Sequence, residues 1–202
     1  MKLHEHFTFD DRLLDLYNRV RAELISSDLS EVWSHTRRVI KNLFRVCEGS
    51  NIDLNVALIA AIIHDIGYID TINGHERASA LKMKPMLDKW FDHVTVNKVI
   101  HCVEAHQFNG LIKPQTVEAC ALHDADLLDF AGPEGVINLF NLGRDLGFNR
   151  EDYNKIATEL GRTSFLFIKT DNLGYTRSFI IKYLLELEEN DKEFKKYGMD
   201  NL

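Results

Sequence analysis

The sequence has few of the features that mark secreted, fibrous or membrane proteins. Its 202 residues include only 3 prolines and 3 cysteines, and Cys47, Cys102 and Cys120 lie far apart among apolar neighbours. This spacing favours reduced core thiols over a disulfide framework or a zinc knuckle. The opening segment lacks an apolar stretch with a small-residue cleavage site, and no segment approaches the ~18 uninterrupted apolar residues of a membrane span. We therefore expect a cytoplasmic protein with no membrane partner.

An excess of positive charge is also lacking. Lysine and arginine together number 24 against 31 aspartates and glutamates, which gives a formal net charge of −7. Without a broad positive field, binding to long nucleic acid is disfavoured. A small phosphorylated substrate would have to be held by a local cation or by a metal ion.

Strand signals are nearly absent, whereas apolar residues recur at helical spacing almost throughout. This pattern predicts an all-α, compact multi-helix fold. The length is typical of one domain, and no Pro/Gly-rich linker divides the chain, so we expect a single domain over residues 1–202. The predicted helices span 10–26, 30–48, 53–65, 75–91, 94–107, 114–130, 133–146, 150–170 and 174–190.

One histidine points inward from the second predicted helix. Val32, Val39, Leu43 and Val46 form a single apolar stripe, and His35 lies on that stripe. A lone inward histidine is more often a satisfied core residue than a ligand. A ligand role for His35 therefore requires other functional side chains beside it.

The next predicted helix supplies such groups. Residues 54–63 are apolar nearly all round and end in His64 and Asp65. Burying a carboxylate costs free energy unless it is paired or binds a metal. Either Asp65 caps its own histidine or a nearby backbone group, or a cation lies close by.

Three carboxylates interrupt a later apolar helix. At about 100° per residue, Asp124 and Asp126 lie on nearly opposite sides, whereas Asp126 and Asp129 share a face. Only one of Asp124 and Asp126 can therefore enter a given site, and the helical phase does not say which.

Taken together, these residues resemble the HD-domain superfamily of metal-dependent phosphohydrolases, in particular its small bacterial and archaeal members. The order is His35, then His64-Asp65 after 29 residues, then Asp126 after 61 more. The blocks SHTRRV, AAIIHDIGY, NGHERASA, VEAHQFNG and HDADLLDFAGPEGV strengthen the resemblance over roughly 28–145. The helices predicted at 150–190 would pack on this core.

The resemblance implies a metal site and a reaction. The implied ligands are His35, His64, Asp65 and Asp126, with Asp124 and Asp129 in supporting or structural positions. Imidazole nitrogen and carboxylate oxygen suit one divalent ion, such as Mn, Fe, Co, Ni, Zn or Mg. Water activated by this ion would hydrolyse a phosphate ester or anhydride of a small molecule, most plausibly a nucleotide.

Two further histidines leave the metal count open. His75 and His106 fall where two-metal members of the superfamily place additional ligands, so a second metal is possible. The block at His106-Gln107-Phe108 lacks the His-His-Glu of the cyclic-dinucleotide phosphodiesterases, and their Gly-Tyr-Pro signature is missing. His75 and His106 would otherwise bind or protonate the phosphate, or be structural.

Candidate substrate-binding cations and proton acceptors are less well defined. Arg38 lies one turn beyond His35 and is expected to bind a phosphate oxygen. Arg77 is a weaker candidate, as is Lys41, and each has the alternative of a solvated surface cation. Glu76 or Asp65 is expected to accept the proton of the attacking water.

Two other functions stay open. The superfamily also contains di-iron oxygenases, for which His75 and His106 would supply the extra ligands, and degenerate members that bind metal or nucleotide without catalysis. A homodimer is also possible, because the aromatic residues near the end of the chain indicate either core or a homodimer face rather than a base-stacking platform. These residues are Phe165, Phe167, Tyr175, Phe179 and Tyr183.

Metal analysis of two amide variants tests the choice of carboxylate. Asp126→Asn should abolish metal binding because it removes an anionic ligand while keeping the side-chain shape. Asp124→Asn should keep the metal and reduce activity modestly, if at all. Loss of metal from Asp124→Asn with retention in Asp126→Asn would show that Asp124, and not Asp126, is the metal ligand.

Overall fold

The computed structural model describes residues 11–168, 176–182 and 185. Within these residues all regular secondary structure is helical, which confirms the all-α prediction. The α-helices are α1 (Asp11–Ser26), α2 (Ser30–Val46), α3 (Leu54–Ile63), α4 (His75–Trp90), α5 (His93–Glu104), α6 (Val117–Asp129), α7 (Gly132–Asp145) and α8 (Arg150–Leu160), and Ile66–Ile69 form a 3-10 turn. Residues 176–182 are helical as well. None of the helices in the described ranges is long and apolar enough to cross a membrane.

The apolar helix α3 lies at the centre of the packing. Its residues from Val56 to Ile63 are all buried, and it contacts α2, α5 and α6. One cluster of buried apolar side chains takes members from all eight helices. Because the C-terminal end of α3 meets α2 and α6, the doublet that follows it faces the helices that carry His35 and Asp126.

A glycine allows α4 to begin next to this doublet. The backbone nitrogen of Gly67 donates to Ser79 Oγ at 2.8 Å. A β-carbon at Gly67 would overlap the carbonyl oxygen of His75 and lie 2.6 Å from the backbone nitrogen of Ser79. Only glycine permits this approach, and the approach brings His75, the first residue of α4, towards Asp65.

The predicted helix over 150–170 is wrong over 161–168, and Asp124 binds the last three of these residues in a non-helical conformation. This buried carboxylate accepts hydrogen bonds from the backbone nitrogens of Leu166, Phe167 and Ile168 at 2.8, 2.6 and 2.9 Å. A helix would use those N–H groups internally, so the chain leaves the helix to bind Asp124. Burial raises the pKa of Asp124, but the bonds from His123 and from these N–H groups outweigh burial and lower it.

Part of the C-terminal prediction falls outside the described residues. Most of the helix predicted at 174–190 does so, together with Tyr175 and Tyr183. Phe165 packs against the core, whereas Phe167 and Phe179 are exposed. The homodimer and the single-domain organisation stay predictions.

Asp124→Ala should lower the free energy of unfolding by about 3 kcal/mol, because three backbone N–H groups lose a charged acceptor. Urea unfolding followed by circular dichroism measures this change. Asp15→Ala, which removes an exposed ion pair with Arg19, is the matched control and should cost under about 0.5 kcal/mol. Equal effects of the two substitutions would contradict the anchoring role of Asp124.

Candidate metal centre

Five segments bring four histidines and two aspartates together. Helix α2 carries the first histidine, the end of α3 carries the doublet, α4 begins with the third histidine, the fourth follows α5, and α6 carries the last aspartate. All six side chains are buried, each residue being at most 5% exposed. They are His35, His64, Asp65, His75, His106 and Asp126.

Backbone carbonyls fix the orientation of three of the rings. His64, His75 and His106 each place Nδ1 against the carbonyl oxygen three residues earlier in the chain, at 2.9, 3.1 and 2.6 Å. A carbonyl oxygen only accepts, so Nδ1 carries the hydrogen and donates it. In the neutral ring, Nε2 is then left with a lone pair, as a metal ligand requires.

The fourth ring is oriented by a carboxylate. His35 Nδ1 lies 2.7 Å from Asp129 Oδ2. Arg38 donates to both oxygens of Asp129, from Nε at 2.7 Å and from Nη2 at 3.0 Å, and Asn138 Nδ2 donates to Oδ1 at 3.1 Å. Asp129 therefore stays charged and fixed in place, and it directs His35 Nε2 towards the centre.

All four Nε2 atoms converge on one carboxylate. Asp65 Oδ2 lies 3.4 Å from His35 Nε2 and 3.3 Å from His64 Nε2. On its other side, Asp65 Oδ1 lies 3.2 Å from His75 Nε2 and 3.4 Å from His106 Nε2. Within each pair the two Nε2 atoms are 3.4 Å apart. Asp65 thus lies between two pairs of imidazoles.

This donor set fits a divalent cation. Two imidazole lone pairs that face each other at 3.4 Å repel unless a cation or a proton lies between them. Asp65 Oδ1 is buried without a hydrogen-bond partner, which is costly for an oxygen that carries charge. His35, His64 and Asp126 have ligand atoms close enough to share one ion, and so do His64, Asp65 and His106.

The charges of these groups also suit a cation. Burial raises the pKa of Asp65, but the imidazoles of His64, His106 and His75 outweigh burial and hold it well below its ordinary value. Burial lowers the pKa of His35, but hydrogen bonds to Asp126 and Asp129 raise it to about 10. A metal ion on Nε2 would replace the proton that His35 otherwise keeps.

Five of the six residues of the candidate centre, all but His64, line the floor of a cavity of about 130 Å³. Tyr68 lines this cavity and stacks on His75, with the ring centroids 3.9 Å apart, and Phe130 stacks on His35 at 5.2 Å. Sequence reasoning missed both aromatic residues. The only signal for Tyr68 was its position three residues after Asp65, within the same block.

The predicted cations do not line the cavity. Arg38 lies against Asp129, while Arg77 and Lys41 are exposed outside the lining. Glu76 is not part of the lining either, and its Oε2 lies 3.9 Å from His75 Nδ1. Their predicted roles in binding and proton transfer stay predictions, and the contacts of Arg38 favour positioning of His35.

A protein-family model described as the HD domain matches residues 32–131. The chain belongs to the HD-domain superfamily, and its all-α fold is that of an HD domain. All six residues of the candidate centre lie inside the matched range. No curated protein matches the chain.

Two solved proteins have a similar fold. A Lactobacillus plantarum protein aligns with a TM-score of 0.65 at 16% identity, over 93% of this chain and 100% of that one. Bacillus subtilis YpgQ aligns over 88% of this chain and 96% of its own, in a complex with ADP (TM-score 0.54, 20% identity) and in a second structure (0.53, 22%). At these identities the likeness shows the fold alone.

Asp129→Asn should weaken metal binding about 10–100-fold, because His35 loses the charged partner that orients it. Arg38→Ala should weaken binding less, since Asp129 remains. Arg37→Ala, next to it in the sequence but exposed, is the control and should have no effect. Calorimetric titration with Mn²⁺ measures all three, and unchanged affinity in Asp129→Asn would refute the orienting contact.

Proposed function

We propose that this chain is a metal-dependent phosphohydrolase that acts on a small phosphorylated substrate, with a nucleotide as the leading candidate. The observation that carries the proposal is the convergence of four imidazole Nε2 atoms on Asp65, with Asp126 Oδ1 lying 3.0 Å from His35 Nε2, at the floor of a cavity. Membership of a superfamily that consists largely of metal-dependent hydrolases supports it. The ADP in one YpgQ structure supports the nucleotide.

The first ion would be held by His35, His64, Asp65 and Asp126. Imidazole-rich sites favour Mn, Fe, Co, Ni or Zn over Mg. When bound, the ion supplies the Lewis acidity that activates water and offsets charge on the phosphoryl group. His35 and His64 keep their Nε2 atoms directed at the centre, and the carboxylates of Asp65 and Asp126 stay anionic.

Asp65 is the better placed of the two proposed proton acceptors. It lines the cavity, with Oδ1 3.2 Å from His75 Nε2, whereas Glu76 is not part of the lining. The buried floor reaches solvent through the cavity, which restricts the water available for attack.

A second ion would be held by His75, His106 and Asp65 Oδ1. The Nε2 atoms of the two histidines are only 3.4 Å apart, and both approach the Asp65 oxygen that has no hydrogen-bond partner. This observation also keeps the di-iron oxygenase as the second candidate function. Two irons per chain with oxygen-dependent turnover would favour the oxygenase, whereas phosphate release without oxygen would favour the hydrolase.

A phosphate-release screen over nucleotides and sugar phosphates, run with metal analysis, tests the proposed function. Wild-type protein stripped by a chelator should recover activity with Mn²⁺, Co²⁺ or Ni²⁺ more strongly than with Mg²⁺. His64→Ala and Asp65→Ala should each lose most of the metal and essentially all activity, because each opens the ligand set.

His101→Ala is the matched control for these variants. His101 accepts a hydrogen bond from the backbone of Gln115 and does not line the cavity, so metal content and activity should stay close to wild type. Full activity in excess chelator, or near wild-type activity with metal retained in His64→Ala, would defeat the proposal.

A further inference from the structure

The cavity has two walls of different origin. Its floor of candidate ligands lies within residues 32–131, the range that the HD-domain model matches. The facing wall comes from α7 and α8, which follow that range. The wall residues are Leu139, Leu142, Phe148, Asp152, Lys155, Ile156 and Leu160. The part of the cavity that would hold the rest of a substrate is therefore built by the segment beyond the matched range.

Most of this wall is apolar. Leu139 and Leu142 come from α7, Ile156 and Leu160 from α8, and Phe148 from the connection between the two helices. Contacts between these apolar side chains and sugar hydroxyls or phosphate oxygens would not stabilise a bound ligand. The side chains stabilise a bound ligand by removing its apolar surface from water.

One permanent cation lies on the same wall. Lys155 is exposed, whereas the histidines and aspartates of the floor are buried, so it stands at the mouth of the cavity. Among the lining residues of the described chain it is the only lysine or arginine. The carboxylate of Asp152, which also lines the cavity, accepts the backbone N–H of Asn149 at 2.8 Å and caps α8. Because Lys155 lines the cavity and is exposed, its ammonium group can pair with an anionic group of a ligand.

We propose that the α7–α8 wall selects a phosphorylated substrate that has an aromatic or apolar body and a second anionic group. The body packs against the apolar residues around Ile156, and the second anion pairs with Lys155 while the reacting phosphoryl group reaches the floor. A nucleoside di- or triphosphate meets all three requirements, whereas a sugar monophosphate meets only the last. This inference rests on the proposed function for the reacting group.

Binding of three probes to Mn²⁺-loaded protein tests the inference by calorimetry. All three probes carry one phosphate group for the floor of the cavity. ADP adds the apolar body and a second anionic phosphate, AMP adds the body alone, and ribose 5-phosphate adds neither. Wild-type protein should bind them in that order of decreasing affinity. Ile156→Ser should weaken ADP and AMP about tenfold, since it removes apolar contact, and leave ribose 5-phosphate unchanged. Lys155→Ala should weaken ADP alone, about three- to fivefold.

Two matched substitutions control for changes elsewhere. Ile137→Ser alters an exposed isoleucine of α7, and Lys98→Ala alters an exposed lysine of α5; neither residue lines the cavity. Both should bind all three probes as the wild type does. Equal weakening of all probes by Ile156→Ser, unchanged ADP binding in both wall variants, or no ADP binding by the wild type would overturn the inference. Failure of the wild type to release phosphate would instead count against the proposed function, because the binding measurements do not depend on turnover.

Discussion

The orientation of four buried imidazole rings is the constraint on which the candidate centre depends. His64 and His106 donate Nδ1–H to carbonyls in the last turns of α3 and α5, where helix carbonyls lack intrahelical partners. His75 uses a carbonyl of the loop before α4, and His35 uses Asp129. Two helix ends, one loop carbonyl and one carboxylate therefore supply the acceptors that turn the four Nε2 atoms towards Asp65. Without these acceptors the rings would be free to present either nitrogen.

The fixed orientation of the four imidazole rings also determines how the buried charges of the site are compensated. Asp65 and Asp126 are buried, and the pKa of each is held below its ordinary value. A protein with a net charge of −7 has no general excess of cations to compensate them. Protons on the imidazoles can do so, and a divalent ion does so more strongly while leaving Nε2 as a ligand. The same buried charge that would destabilise an apolar interior thus suits this part of the interior to a cation.

Local sequence pattern predicted the parts of the site that depend on helical phase. His35 lies on the stripe of α2, the doublet ends the buried helix, and Asp126 faces away from Asp124 as their 200° separation requires. Pattern did not predict the contacts that join distant segments. Asp129 binds Arg38, 91 residues earlier, and Asp124 binds the backbone of Leu166, 42 residues later, in the non-helical segment that follows α8. Likewise, the α7–α8 wall exists only through packing, because its apolar residues look like ordinary core in sequence.

The most direct test of the account is the position of metal in a crystal of the protein grown with Mn²⁺. Anomalous diffraction should place an ion among His35 Nε2, His64 Nε2, Asp65 and Asp126, with any second ion beside His75 Nε2 and His106 Nε2 on the other oxygen of Asp65. An ion bound through Nδ1 of these histidines, or a Mn²⁺ peak only outside this cluster in metal-loaded crystals, would contradict it.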